Sequence, residues 1–247
     1  SRYEFFTYTF EGVDQLTGNS LYKANLEDYY VTLPDGTTLG NKQSGVDITK
    51  KATVIGGVPY VTNTTYGQRE FHGSALPTVY GSFTGTIGYK SLTLSALFTY
   101  SLGGKTMDGV YQSLMTTGTS PSNYHADIMQ SWAKAPEGMD EHSPDRIRKD
   151  GIPQINSTLS SDNNAVSSRW LTSADYLVVK NITLAYRLPQ AWVTRMGLQA
   201  AGLNVTCENL WTFTARQGMN PQQSFSGGQG NYLVTPRIFS VGVSVTL

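Results

Sequence analysis

The sequence predicts an all-β protein, an antiparallel transmembrane β-barrel to which this chain supplies about six strands. Three observations lead there. The stretch PRIFSVGVSVTL puts Phe239, Val241, Val243, Val245 and Leu247 on one parity and Ser240, Gly242, Ser244 and Thr246 on the other, the period-2 pattern of a strand with two unlike faces. Short links alternate with very long ones along the chain, as in barrels with tight turns on one side and long loops on the other. Charged residues are only 15% of the 247 and aromatics 11%, yet no apolar run approaches the ~20 residues of a spanning helix. Alternating strands average out on a hydropathy scale, so the slightly negative mean hydropathy excludes helical spans and leaves a barrel open.

Six stretches carry strand signals in chain order. Tyr3 to Phe10 is aromatic-rich. Val79 to Tyr89 sets Val79, Phe83, Ile87 and Tyr89 against Tyr80, Ser82, Thr84 and Thr86, and Leu92 to Ser101 continues the alternation after only Lys90 and Ser91, a tight hairpin. Tyr176 to Leu188 and Gln199 to Leu210 alternate likewise, joined by Pro189–Leu198, which has room for one helical turn. The final stretch is the sixth. Long connections of about 11–78, 102–175 and 211–235 separate the others; structureless loops of that length are rare in compact soluble domains. Counting directions back from the last strand puts both short links on the periplasmic side and all three long segments outside. A last strand that ends at Leu247 without a cap fits a barrel, where it pairs with the first.

The formal net charge is zero, which argues against a nucleic-acid partner, since phosphate binding needs clustered cations. One cysteine, Cys207, sits in an alternating run and forms neither an intrachain disulfide nor a cysteine metal cluster. No secretory signal opens the chain. GGKT (Gly103–Thr106) lacks the earlier glycine of a phosphate loop, because Thr99 stands there. Asp140, Glu141, His142, Asp145 and Asp150 share one loop without EF-hand order, and read as solvated loop charge. The histidines have no paired zinc spacing and no nucleophile motif is present. No catalytic residue, metal ligand or cofactor is expected, and the chain is not expected to be an enzyme.

The tryptophans are the candidate site residues. Trp192, in the short link, reads as an interface anchor. Trp170 and Trp211 border outer strand ends, as members of an interface girdle or as platforms for a sugar ring or peptide. With Arg216 they form the expected substrate-binding set. Trp132, in the largest loop, is the expected partner contact.

Several stretches, in order, resemble the SusC/RagA family of TonB-dependent outer-membrane transporters: EGVDQLTGNSLY with its Gly-x-Asp-x-x-Thr-Gly core, SALPTVYGSFTGTIGYKSLTLSALFTYSLGGKTMD, TSADYLVVKNITLAYRLP, NVTCENLWTFT, GMNPQ and the ending TPRIFSVGVSVTL. The resemblance implies that the six strands are the C-terminal portion of a larger, plugged barrel of the 22-stranded type, with the plug domain and TonB box absent from this chain. It implies active import of oligosaccharides or oligopeptides across the outer membrane of a Gram-negative, Bacteroidetes-like cell. The implied partners are a SusD-like surface lipoprotein, TonB acting through the missing plug region, the rest of the barrel, and outer-membrane lipid. The family usually ends in an aromatic residue; this chain ends in Leu247. The rival reading is a soluble all-β glycan-binding module.

Overall fold

The computed structural model describes residues 3–116, 123–215, 218–220, 222, 227–229 and 235–247. The chain forms two compact units, Ser1–Gly73 with Asp108–Leu171, and Ser74–Met107 with Thr172–Leu247. No helix among the described residues is long and apolar enough to cross a membrane.

The second unit is built on a five-stranded antiparallel sheet in the order Val79–Tyr89, Leu92–Leu102, Tyr176–Arg187, Ala200–Thr214, Ile238–Thr246. These are five of the six expected stretches, and each neighbours its sequence successor, as in an up-and-down barrel wall. The turn at Lys90–Ser91 closes the hairpin, with Lys90 in the left-handed region (φ 53°) and Tyr89 opposite Leu92. The Pro189–Leu198 link holds the expected helical turn, Gln190–Arg195, pinned by the buried Val193.

Two adjacent irregularities bend this sheet. Against Leu92–Leu102, the register of Tyr176–Arg187 slips so that Phe98 faces Val179 and Leu97 faces Asn181, leaving Lys180 between them. The Ala200–Thr214 strand slips at the same level, with Trp211 on Val179 and Glu208 on Asn181. Asn209 there takes φ 51°. The Lys180 ammonium donates to Asn209 Oδ1 at 2.9 Å, and Asn209 Nδ2 donates to the Pro236 carbonyl at 3.3 Å. These bonds thus link two strands and the entry to the third where the ladder is interrupted, as a bulge does in bending a sheet.

Most of the first two long segments, 11–78 and 102–175, goes into the first unit. Tyr3 to Phe10 does not join the large sheet. It splits into Glu4–Tyr8, which pairs with Arg69–Ser74, and Phe10–Asp14, which pairs with Ser20–Lys23. The reason is aromatic packing: Tyr8 and Phe10 meet the Tyr22 ring at 6.4 and 6.0 Å, at the rim of a core of Tyr22, Ala24, Val31, Ile48 and Val61. Short strands then make a five-stranded sheet of Ile147–Arg148, Phe10–Asp14, Ser20–Lys23, Val58–Val61 and Ala52–Ile55.

The Gly-x-Asp-x-x-Thr-Gly segment is the joint of this unit. Asp14 is 1% exposed and takes a bidentate pair from Arg146, at 2.7 Å (Nε) and 2.8 Å (Nη2). It also accepts from the Leu16 N–H at 3.0 Å and the Thr17 hydroxyl at 2.8 Å. Burial raises the Asp14 pKa, but these bonds outweigh it and the carboxyl lies below its ordinary value. Gly12 (φ 149°) leaves room for the Ile147–Arg148 strand, and Gly18 (φ 73°) lies under the Trp132 ring, where a Cβ would collide. Gly12, Asp14, Thr17 and Gly18 of the segment each therefore have a local mechanical reason, and residues 132 positions apart are tied together.

Candidate functional site

The two faces of the large sheet differ in chemistry over the rows nearest the Lys90–Ser91 turn. One row runs Ile87, Leu94, Leu184, Val205, Val241; the next runs Tyr89, Leu92, Tyr186, Leu203, Val243. These side chains are largely open: Ile87 is 71% exposed, Val241 76% and Val243 69%. Between these rows, on the other face, lies Gly88, Thr93, Ala185, Asn204, Gly242, and beyond it Thr86, Ser95, Thr183, Thr206, Ser240. The second of these is a hydroxyl on each of five strands. Thr86 and Ser95 Oγ atoms are 3.1 Å apart, Thr183 and Thr206 3.0 Å. The Asn204 side chain lies across Gly242, where any Cβ would collide.

Aromatic residues gather at both ends of the apolar face. Tyr89 and Tyr186 lie at one end, with the Lys90 ammonium 5.3 Å from the Tyr89 ring centre. At the other, Phe83 stacks on Phe98 at 4.8 Å, Trp211 and Phe213 are 6.2 Å apart, and the Arg237 guanidinium sits 5.3 Å over Trp211. On the polar face a hollow of about 310 Å³ opens among Tyr80, Ser101, Thr106, Tyr176 and Gln222. Tyr80, Ser101 and Tyr176 stand in one row across three strands.

The tryptophans do not form one site. Trp170 is 2% exposed; its Nε1 donates to the Ala165 carbonyl at 2.8 Å and its ring meets Tyr111 edge-on at 5.9 Å. It is a core residue of the first unit and offers no face to a ligand, which corrects the expectation of a substrate platform. Trp211 is 52% exposed, but on the apolar face, opposite the hydroxyl row; its surroundings are those of a girdle residue. Arg216 lies outside the described residues. Trp132 is half-buried, with Nε1 donating to the Gln15 carbonyl at 2.9 Å and its ring over Gly18, so most of its ring is committed inside the first unit. Period and position in the sequence treat a buried and an exposed tryptophan alike, and no local signal separated them.

The first unit holds a cleft that sequence reading did not find. It has a volume of about 440 Å³ and its walls include Phe10, Tyr111, Asp127, Lys149, Asp150 and Arg169. Asp108 caps the helix Gly109–Met115 through the Tyr111 N–H at 3.0 Å, and so aims Tyr111 at the cleft. The Tyr111 hydroxyl donates to Asp127 at 2.7 Å.

No protein-family model matches the sequence. The chain is 25% identical over 157 residues to TonB-dependent receptor P3 of Formosa agariphila, covering 64% of this chain and 14% of the receptor. It is 25% identical over 168 residues to TonB-dependent receptor P39 of the same organism, covering 67% and 15%. The chain thus spans about one seventh of the length of these curated relatives. In fold it is similar to a chain in the structure of the RagAB peptide transporter, with a TM-score of 0.67, 18% identity and coverage of 99% of this chain and 23% of that one. The RagAB peptide importer in the closed-closed state gives 0.62, 20%, 98% and 23%. Sequence and fold point the same way: the chain is similar in sequence to a portion of TonB-dependent receptors, and its fold is that of part of a chain of the RagAB transporter, with the antiparallel strands of a β-barrel wall.

Proposed function

We propose that the chain forms the C-terminal part of the barrel of a TonB-dependent importer in the outer membrane, taking up oligosaccharides or oligopeptides. The observation that carries this reading is the pair of faces on the large sheet. Eight residues separate Tyr89 from Gly81, whose row includes Tyr100 and Phe213; that is about 27 Å of strand, or about 21 Å of height at a tilt of ~40°, close to the ~25 Å apolar band of outer-membrane barrels. The apolar face would meet hydrocarbon, the aromatic ends the two interfaces, and the hydroxyl face a plugged lumen.

On this reading the long segments stand outside the cell, and 102–175, most of which folds within the first unit, meets a SusD-like lipoprotein. Met129 (86% exposed) and Ile155 (60%) flank Trp132 and Gln154 in sequence and supply apolar contact there, with the free edge of Trp132. TonB would act through a plug carried elsewhere in the transporter. Trp211 serves as an interface anchor, and the Tyr80–Tyr176 hollow lies on the substrate's path. A soluble glycan-binding module would have to leave the apolar face in water, and no observation favours it. No chemical step is assigned to any residue.

The test is uptake by cells making the full transporter. The protein should fractionate with the outer membrane, and accumulation of labelled oligosaccharide or oligopeptide should stop when a protonophore collapses the inner-membrane gradient. Recovery in the soluble fraction, or uptake indifferent to the protonophore, would overturn the reading.

A further inference from the structure

Two acids and two cations line the cleft of the first unit, and they are unequally occupied. Asp127 is engaged by the Tyr111 hydroxyl at 2.7 Å and His125 Nδ1 at 3.3 Å, and Asp150 by Arg148 at 3.2 Å. The cations are not. Lys149 is exposed and enters no ion pair among the described residues. The Arg169 guanidinium carbon lies 4.4 Å from the Trp170 ring centre and 5.5 Å from the Phe10 ring centre. Its one hydrogen bond among the described residues runs from Nη1 to the Asn163 carbonyl at 3.2 Å, and no carboxylate faces it. None of its remaining N–H groups is a buried orphan, and Arg169 is part of the cleft wall. Burial without a counter-ion pushes the Arg169 pKa down to about 10, and it stays charged at neutral pH.

A guanidinium packed against two aromatic rings keeps its N–H edge for polar partners, and that edge is a fork of parallel donors matched to a planar, singly charged oxyanion. The aromatic walls, Phe10 and Tyr111, suit an apolar group or ring face attached to that anion. The neighbouring Asp127 and Asp150 disfavour a doubly charged group such as a phosphate ester. We infer that this cleft binds a carboxylate-bearing ligand, with Arg169 as the fork, Lys149 as the flanking charge, and Phe10 and Tyr111 against the attached group. A peptide's terminal carboxylate and a uronic acid residue of an oligosaccharide share this chemistry. The argument rests on the first unit alone and not on import.

Calorimetric titration of the purified full transporter in detergent tests it. The probes are Ala-Ala-Phe and its C-terminal amide, and trigalacturonate and its methyl ester. At least one acid should bind, and its neutral partner should bind about tenfold or more weakly, as expected for loss of a charge-assisted pair. Arg169→Lys, which keeps the charge but not the fork, should erase most of that discrimination. Lys149→Gln, at an exposed position that does not threaten folding, should weaken the acid about threefold while leaving the amide or ester unchanged. Which acid binds identifies the source. If neither acid binds, if acids and neutral partners bind alike, or if Lys149→Gln and Arg169→Lys both leave the discrimination intact, the inference fails. No transport is measured, so this can fail while the import reading stands, and the reverse.

Discussion

The two units of this chain obey opposite rules. In the first, the residues a soluble protein would bury are buried: Leu21, Tyr22, Val31, Ile48, Val61 and Trp170 are each 2% exposed or less. In the second, the apolar residues of the long strands lie open, and the small polar ones face the other way. Composition separates the two in charge, with 27 of 137 residues charged in the first and 9 of 110 in the second, but it does not say what each apolar face meets. Pairing geometry does: short strands from distant segments enclose a core, whereas long consecutive strands make a wall whose apolar side lies open among the described residues. The lesson is that a strand's alternation states only that its faces differ. What each face meets depends on what else the chain can place there.

The largest effect should be on solubility. The Val79–Tyr89 and Ile238–Thr246 strands each have one partner in the large sheet, so the second unit combines two open edges with an open apolar face. Residues 1–247 made alone should aggregate in plain buffer and stay dispersed only in detergent, with light scattering as the measurement. A monodisperse, cooperatively melting monomer without detergent would break the comparison, because both units would then follow the soluble rule.

The next effect is confined to the first unit. Arg146→Ala leaves the Asp14 carboxylate buried and unpaired, which should cost about 3–5 kcal/mol. Proteolysis of the full transporter in detergent should cut within residues 1–73 and 108–171 while the long strands stay protected. Uniform loss of protection would mean that the two units are not separately stable. The pair also gives a pH signature. The Asp14 pKa is lowered in the fold, so its contribution is complete above the unfolded value of about 3.9 and fades as pH falls through the lower folded value. Protection of the first unit should therefore hold at pH 5 and weaken in more acid solution, and Asp14→Asn should remove that dependence.

The difference between the units also explains what the sequence revealed. The five long strands were legible to within a few residues, because an alternation that holds for nine or more positions is hard to produce by accident. Apart from Tyr3 to Phe10, the first unit was read as loops. Its strands are two to six residues long, as at Val46–Asp47 and Arg69–Ser74, too short to show a period. Its decisive contact joins Asp14 to Arg146 across 132 positions, which no local pattern can report. The site fared worse for the same reason. Trp170 looked like an open platform and is core, while its neighbour Arg169 attracted no notice because the absence of a counter-ion is a property of the folded surroundings.

A more modest effect should separate the faces of the wall. Val243→Arg should cost about 2–4 kcal/mol if that position lies near a bilayer midplane, and Ser244→Arg should cost little. Urea titration of the full transporter in lipid vesicles measures both. Equal costs, or the reverse order, would remove the assignment of faces.

The smallest effect concerns the hydroxyl row. Thr183 Oγ1 bonds to Asn181 Oδ1 and shares a proton position with Thr206 Oγ1, both at 3.0 Å. Thr183→Val keeps the β-branched shape and deletes those bonds. If the row faces water or a hydrated plug surface, the partners find other hydrogen bonds and the loss should be about 0.5–1.5 kcal/mol, with uptake retained. If the row were instead buried against a dry apolar layer, Asn181 and Thr206 would be left unsatisfied, and the cost should rise towards ~3 kcal/mol. The same vesicle titration separates these values. A large cost here together with a negligible one at Val243→Arg would exchange the faces and make the wall an ordinary soluble sheet turned inside out.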